Sequence, residues 1–217
     1  MNLARGWLAG FAFCALAGLA SWKWLDRPIA LWLHAQQSVV HGRHFLEPLT
    51  QIPDPLIPAG GVLIVVFGIR ALLGRPFGKI QAVAIVCCFS VIVGETIKNG
   101  LKWFFGRPWP ESWHGNPSFI RDHLYAFHWL NGGHGYDSFP SGHMTATAAV
   151  LSVAWLCYPR WRAVYTLVAC LVAAGLLLSN FHFLSDVIAG AFLGASIGWM
   201  TTVLFGRVPN LVGSGES

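Results

Sequence analysis

The chain has 217 residues, 55% of them hydrophobic and 11% charged, with a mean hydropathy of +0.56 and a formal net charge of +5. A soluble domain carries about a quarter charged residues, so this composition excludes an ordinary water-soluble globule. Long apolar runs without alternation select membrane helices over a closed barrel, and the positive balance suits an anionic lipid surface without requiring nucleic acid.

The first apolar run, 7–25, follows Arg5 and ends in the Trp/Lys belt "WKWLDRP". Small residues around Ala20 resemble a signal-peptide cleavage site, but the belt favours a retained helix. "RPIALWLHAQQSVVHGRHFLEP" is mixed in character and predicts a helix along the membrane surface. Further apolar runs occupy 58–74, 79–101, 143–158, 163–181 and 183–205, the last interrupted by Asp186. The expectation is an all-α polytopic protein with six transmembrane helices in one domain, 1–217. Residues 1–57 supply the first helix and the interfacial segment, and 58–206 the other five helices and the site. The loop over 102–142, rich in Gly, Pro, His and Trp, is long enough to be functional.

Arg5, Arg70, Arg75, Lys79, Arg160, Arg162 and Arg207 fall on one side of this arrangement, with Glu216 as the single acid beside them. The positive-inside rule then puts both termini in the cytoplasm and the 102–142 loop outside, on the periplasmic face of a bacterial-type inner membrane. The five cysteines lie in predicted spans without zinc spacing and read as small apolar residues. His114, His123, His128 and His134 crowd the long loop without Cys or paired spacing, so neither a metal nor a cofactor is expected.

Ionisable residues near membrane spans mark function by default. Three groups stand out, all on the non-cytoplasmic side. In "ETIKNGLKWFFGRPWPESW" (95–113), Glu95, Lys98 and Lys102 share a helical face, and Arg107 follows a Gly turn. Glu95 pairing with Lys98, and a lysine snorkelling to headgroups, account for part of that pattern. In "YDSFPSGHMTATAAV" (136–150), Pro140 suits a helix start, Ser138 or Ser141 can cap it, and Gly142 lets an anion approach bare N–H groups beside His143. In "SNFHFLSDVIAG" (179–190), His182 and Asp186 stand four apart on one helical face. Asp186 on one ring nitrogen of His182 would make the other a better nucleophile toward phosphorus, with His143 donating to the leaving oxygen.

These residues resemble the type 2 phosphatidic acid phosphatases, which share a fold with vanadium haloperoxidases. Pro140-Ser141-Gly142-His143 matches their middle motif, "FHFLSDVIAG" the end of their third and "KWFFGRPWP" their first. The resemblance covers about 98–200 and implies a six-helix arrangement and metal-free hydrolysis through a phosphohistidine. His182 would be the nucleophile, Asp186 its orienter and His143 the general acid. Lys102, Ser141 and Gly142 would hold the phosphate.

Two departures accompany it. Trp109 stands where the first motif has its arginine, leaving Arg107-Pro108 as the nearest substitute, and Gly175-Leu176 replace the Ser-Arg that opens the third motif. Arg107 and Arg121 are candidate replacements, and Asn180 could support with a neutral hydrogen bond. The leading reading is a phosphatase acting on a lipid phosphate or pyrophosphate such as undecaprenyl pyrophosphate, phosphatidate, phosphatidylglycerophosphate or a lipid A phosphate. Phosphotransfer between lipids is the enzymatic alternative, and a non-catalytic lipid phosphate-binding or transport protein the alternative from another class.

Overall fold

A computed structural model of the chain describes residues 3–36, 48–112, 115–133 and 135–206. Two helices, α1 (Leu3–Ala20) and α2 (Asp26–Gln36), are joined by a π-helical turn, Ser21–Leu25, into one rod. The axis therefore continues past 25, where the sequence predicted a membrane span giving way to a surface segment. Pro28 lacks an amide for the α-helical ladder, and the wider turn just before it keeps the rod helical, with the Asp26 amide donating to the Ser21 carbonyl. The rest of the expected surface segment, 37–47, lies outside the described residues, as does the tail carrying Arg207 and Glu216.

Further helices among the described residues are α3 (Leu56–Leu72), α4 (Lys79–Phe105), the short α5 (Phe119–Asp122), α6 (Gly142–Cys157), α7 (Arg162–Leu178) and α8 (Leu184–Gly206). Four stretches, Arg5–Gln36, Lys79–Phe105, Pro159–Leu178 and Leu184–Gly206, are long and apolar enough to cross a membrane; Leu56–Leu72 and Gly142–Cys157 are apolar but shorter. The observed ends lie close to the predicted runs, because continuous apolarity bounded by Gly, Pro or charge marks a membrane helix well. Leu8, Phe13 and Leu16 of α1, Val62, Val65 and Ile69 of α3 and Leu167 of α7 point outward. An all-helical bundle with that apolar exterior is built for lipid.

Its centre is the pair α6 and α8, the most closely packed of the helices. Gly190, Gly194 and Gly198 recur every fourth residue on α8 and face α6. A Cβ on Gly194 would overlap the Thr145 carbonyl, and one on Gly198 the Ala149 carbonyl and Ser152 Oγ. Small residues on one stripe let membrane helices approach at backbone distance. Helix α4 closes the group, its Ser90 hydroxyl 2.5 Å from that of Thr201 on α8.

One end of the bundle is basic: Lys79 lies over the Tyr158 ring, Arg162 over Trp155, and Arg70 donates to the Pro76 carbonyl. The other end gathers the C-terminus of α4, the N-terminus of α6 and the 179–183 connection. There Gly106 ends α4 with φ of +53°, and a Cβ would overlap the His128 carbonyl. Only glycine fits both requirements, and this turn sends Arg107 back into the protein. Bridges between Arg107 and Asp137, and between Trp109 and Ser118, fold the long connection over that end.

Candidate active site

The 179–183 connection is fixed by its backbone before any side chain acts. Asn180 takes a left-handed conformation, φ +54°, and the Phe181 and His182 amides both donate to the Leu176 carbonyl at 2.9 and 3.2 Å. This αL ending satisfies the last carbonyls of α7 and aims His182 at α6. Leu176 itself, where the resembled motif carries arginine, is fully buried in the apolar core with Val172, Met144 and Val187. Gly175 lies against Leu49, so that position also belongs to packing.

His182 is buried, with Nδ1 3.5 Å from Asp186 Oδ2 and 3.4 Å from Ser138 Oγ. Its other nitrogen, Nε2, is also buried and has no hydrogen-bond partner among the described residues. The Trp109 ring lies 4.9 Å from the imidazole, and Lys102 Nζ lies 5.7 Å from the Trp109 ring. Burial holds the pKa of His182 down to about 4, against the opposing pull of Asp186. The ring is therefore a neutral base at ordinary pH. Asp186 is held in turn by Ser138 Oγ at 2.6 Å, by the Phe183 amide at 3.0 Å and by Arg107.

The start of α6 faces this ring. Ser141 is the N-cap, its Oγ accepting from the Met144 amide at 3.4 Å, while its own amide donates to the Asp186 carbonyl at 3.1 Å. That backbone bond ties the second and third sequence groups together. The His143 and His182 ring centroids are 6.3 Å apart. His143 Nε2 lies 3.1 Å from Asp54 Oδ1, a carboxylate from the segment leading into α3.

Between them is a cleft of about 120 Å³ lined by Asp54, Glu95, Lys98, Lys102, Trp109, Gly142, His143 and His182 among others. Lys98 lies so near the start of α6 that a Cβ on Gly142 would stand 3.1 Å from its Nζ. The same Nζ donates to Glu95 Oε2 at 2.6 Å. The cleft thus gathers two lysine side chains, a positively polarised helix start and the His182 ring. Such a set can bind a tetrahedral oxyanion in line with a nucleophile.

The structure brings His182, Asp186, His143, Gly142 and Lys102 together, with Ser141 acting there as helix cap. It does not bring the two arginines or Asn180 to the cleft. Arg107 is fully buried: NH2 is 2.8 Å from Asp26 Oδ2, NH1 bonds Asp186 and is 2.6 Å from Ser185 Oγ, and the guanidinium lies 4.2 Å from the Phe183 ring. Two carboxylates, Asp26 and Asp186, hold that charge away from the cleft lining. Arg121 is half exposed, paired with Asp122 and bonded to Ser112 and the Gly115 and Asn116 carbonyls, so it ties down its own loop. Asn180 donates to the Ala30 carbonyl at 3.2 Å and to Glu111 at 3.1 Å. His114 and His134 lie outside the described residues.

The sequence sets Lys98 aside as the partner of Glu95 and gives Asp54 and Asp26 no role. The Lys98–Glu95 pair looked self-contained, yet both line the cleft. Asp26 carried the signal that found the others, an acid at the edge of an apolar run, but its partner is 81 positions away.

Residues 83–209 match the family described as the PAP2 superfamily. A lipid A 1-phosphatase of Rhizobium johnstonii is 31% identical over 121 residues, covering 55% of this chain and 46% of that protein. A lipid A 1-phosphatase of Rhizobium etli is 30% identical over 120 residues, covering 54% and 48% respectively. The chain spans about half the length of the curated relatives it matches. In fold it is similar to the crystal structure of the first transmembrane PAP2 type phosphatidylglycerolphosphate phosphatase from Bacillus subtilis, with a TM-score of 0.54 over 94% of this chain and 97% of that one, at 14% identity.

Proposed function

The chain belongs to the PAP2 superfamily, and from that premise we propose that it hydrolyses a lipid phosphate or pyrophosphate through a phosphohistidine at His182. The observation that carries this reading is His182 Nε2, a buried and unpartnered nitrogen on a neutral ring, at the wall of a cleft with two lysines and a helix start. Mere phosphate binding has no use for that nitrogen.

In the first step Nε2 attacks phosphorus, the P–N bond forms and the bond to the leaving oxygen breaks. The leaving oxygen takes a proton from His143, and the positive charge growing on the His182 ring is met at Nδ1 by Asp186. In the second step water attacks phosphorus and gives its proton to His143. The P–N bond breaks, and phosphate and neutral His182 are regenerated. Lys98, Lys102 and the amides of the first turn of α6, Gly142 among them, hold the non-bridging oxygens. Lys98 takes the part that the sequence assigned to Arg107, and Trp109 walls the cleft where the resembled motif has its arginine.

The membrane setting and the relatives, which are named lipid A 1-phosphatases, support the substrate class. We extend that class, a phosphorylated lipid presented at the membrane surface, to this chain. Six spans, both termini in the cytoplasm and a periplasmic site complete the reading. The test is phosphate release by purified protein and by His182→Ala from lipid A, phosphatidate, phosphatidylglycerophosphate and undecaprenyl pyrophosphate. Release from at least one by the wild type and from none by the variant is expected. A wild type inactive on all, or an equally active variant, rejects the proposal.

A further inference from the structure

A buried charge cluster joins the N-terminal rod to the nucleophile. Asp26, 1% exposed, and Arg107 and Asp186, both 0% exposed, form a line: Asp26 Oδ2 is 2.8 Å from Arg107 NH2, and Arg107 NH1 bonds Asp186 Oδ1. The other oxygen of Asp186 faces His182 Nδ1. Asp26 also accepts from the Ser185 amide at 3.1 Å and from Ser185 Oγ at 2.5 Å. It accepts from Ser21 Oγ as well, 2.7 Å from Oδ1. Ser21 opens the π-helical turn and Asp26 caps its end, and the wider turn brings their side chains together over five positions. Single π-turns inside helices concentrate at functional positions. Asp26 lies outside the residues 83–209 that match the family.

Resting on the phosphatase reading above, we infer that Asp26 is a positioning residue for His182, acting through Arg107 and Asp186. Two carboxylates and one guanidinium sum to a single negative charge. With Asp26 holding half of the guanidinium, Asp186 keeps charge to spare for the His182 ring, which becomes positive as its nitrogen bonds to phosphorus. Without the Asp26 charge the cluster is neutral, and Arg107 turns wholly on Asp186, drawing it from His182. The rod thereby completes the site from a part of the chain the three sequence groups do not include. The competing reading is an anchor that only docks the rod on the bundle.

A single and a double variant separate the two. The protein is the full-length chain in detergent, and the probe is whichever lipid of the panel above the wild type hydrolyses. Asp26→Asn is expected to lower kcat by about ten- to a hundredfold, the scale of a misplaced reacting group, with KM within about twofold of the wild type. Asp26→Asn/Arg107→Gln restores the cluster's single negative charge and is expected to exceed Asp26→Asn in kcat. Ser21→Ala, which removes one hydrogen bond to Asp26, lowers kcat in the same direction by a smaller factor and covers the case in which Asp26→Asn fails to fold. Unchanged kcat in Asp26→Asn or Ser21→Ala, or a double variant no better than the single, overturns the inference while leaving the phosphatase reading in place. A wild type that releases phosphate from no member of the panel removes both.

Discussion

The proposed attack by His182 requires an unprotonated ring, and burial keeps it so down to about pH 4. The unfolded chain binds that proton near pH 6.5. Between those values the unfolded state holds the extra proton, so this group's contribution to stability is present above pH 6.5 and declines as pH falls toward 4. For the reaction the same shift extends the active form to lower pH: the acid limb of kcat/KM assigned to His182 should lie near 4. An acid limb near 6.5 in the wild type contradicts this. The lysines give a second expectation at this scale. Lys98→Met or Lys102→Met removes a charge-assisted contact worth about 2–3 kcal/mol, or roughly a hundredfold in kcat/KM, whereas Arg121→Ala, a loop contact, leaves it unchanged. Steady-state kinetics on one lipid phosphate reads both. His182, Asp186 and His143 were legible because polar residues inside apolar runs are costly and have few explanations. The place of Arg107 was not, because its nearness to Lys102 in sequence says nothing about the two acids, Asp26 and Asp186, that meet it in the fold.

The elements explain why that constellation is rigid. Helix α8 carries Asp186 and lies against α6, which carries His143, through the stripe Gly190, Gly194 and Gly198. Replacing Gly194 or Gly198 with alanine drives a methyl into backbone carbonyls of α6 and should cost about 1–3 kcal/mol. Gly18, whose Cβ position is open, is the control: Gly18→Ala should match or exceed the wild type in thermal unfolding monitored in detergent. Equal stability of Gly194→Ala and the wild type would mean that α6 and α8 are not packed this closely. Helix positions could be read from the sequence to within a few residues, since apolarity and its interruptions fix them locally. The fusion of α1 and α2 into one rod could not, because it depends on a π-helical turn whose buried hydrogen bond, Ser21 to Asp26, closes against Arg107 and Ser185.

Across the whole molecule, the charge pattern and the site agree on a direction. The basic end carries Arg70, Lys79 and Arg162, and the cleft opens at the opposite end, beside the loop with Arg121. In cells, Arg121→Cys should react with a membrane-impermeant maleimide applied from the periplasmic side, and Arg160→Cys should not until the inner membrane is opened. The reverse pattern would invert the proposed topology.

The phosphorus–nitrogen bond proposed at His182 can be trapped. Purified protein mixed with a lipid carrying a ³²P-labelled phosphate and quenched in alkali, where phosphohistidine survives, should show label on the peptide containing His182 and none in His182→Ala. Labelled phosphate released by the wild type with no label on His182 at any time, or released at the wild-type rate by His182→Ala, would rule out a phosphohistidine at His182.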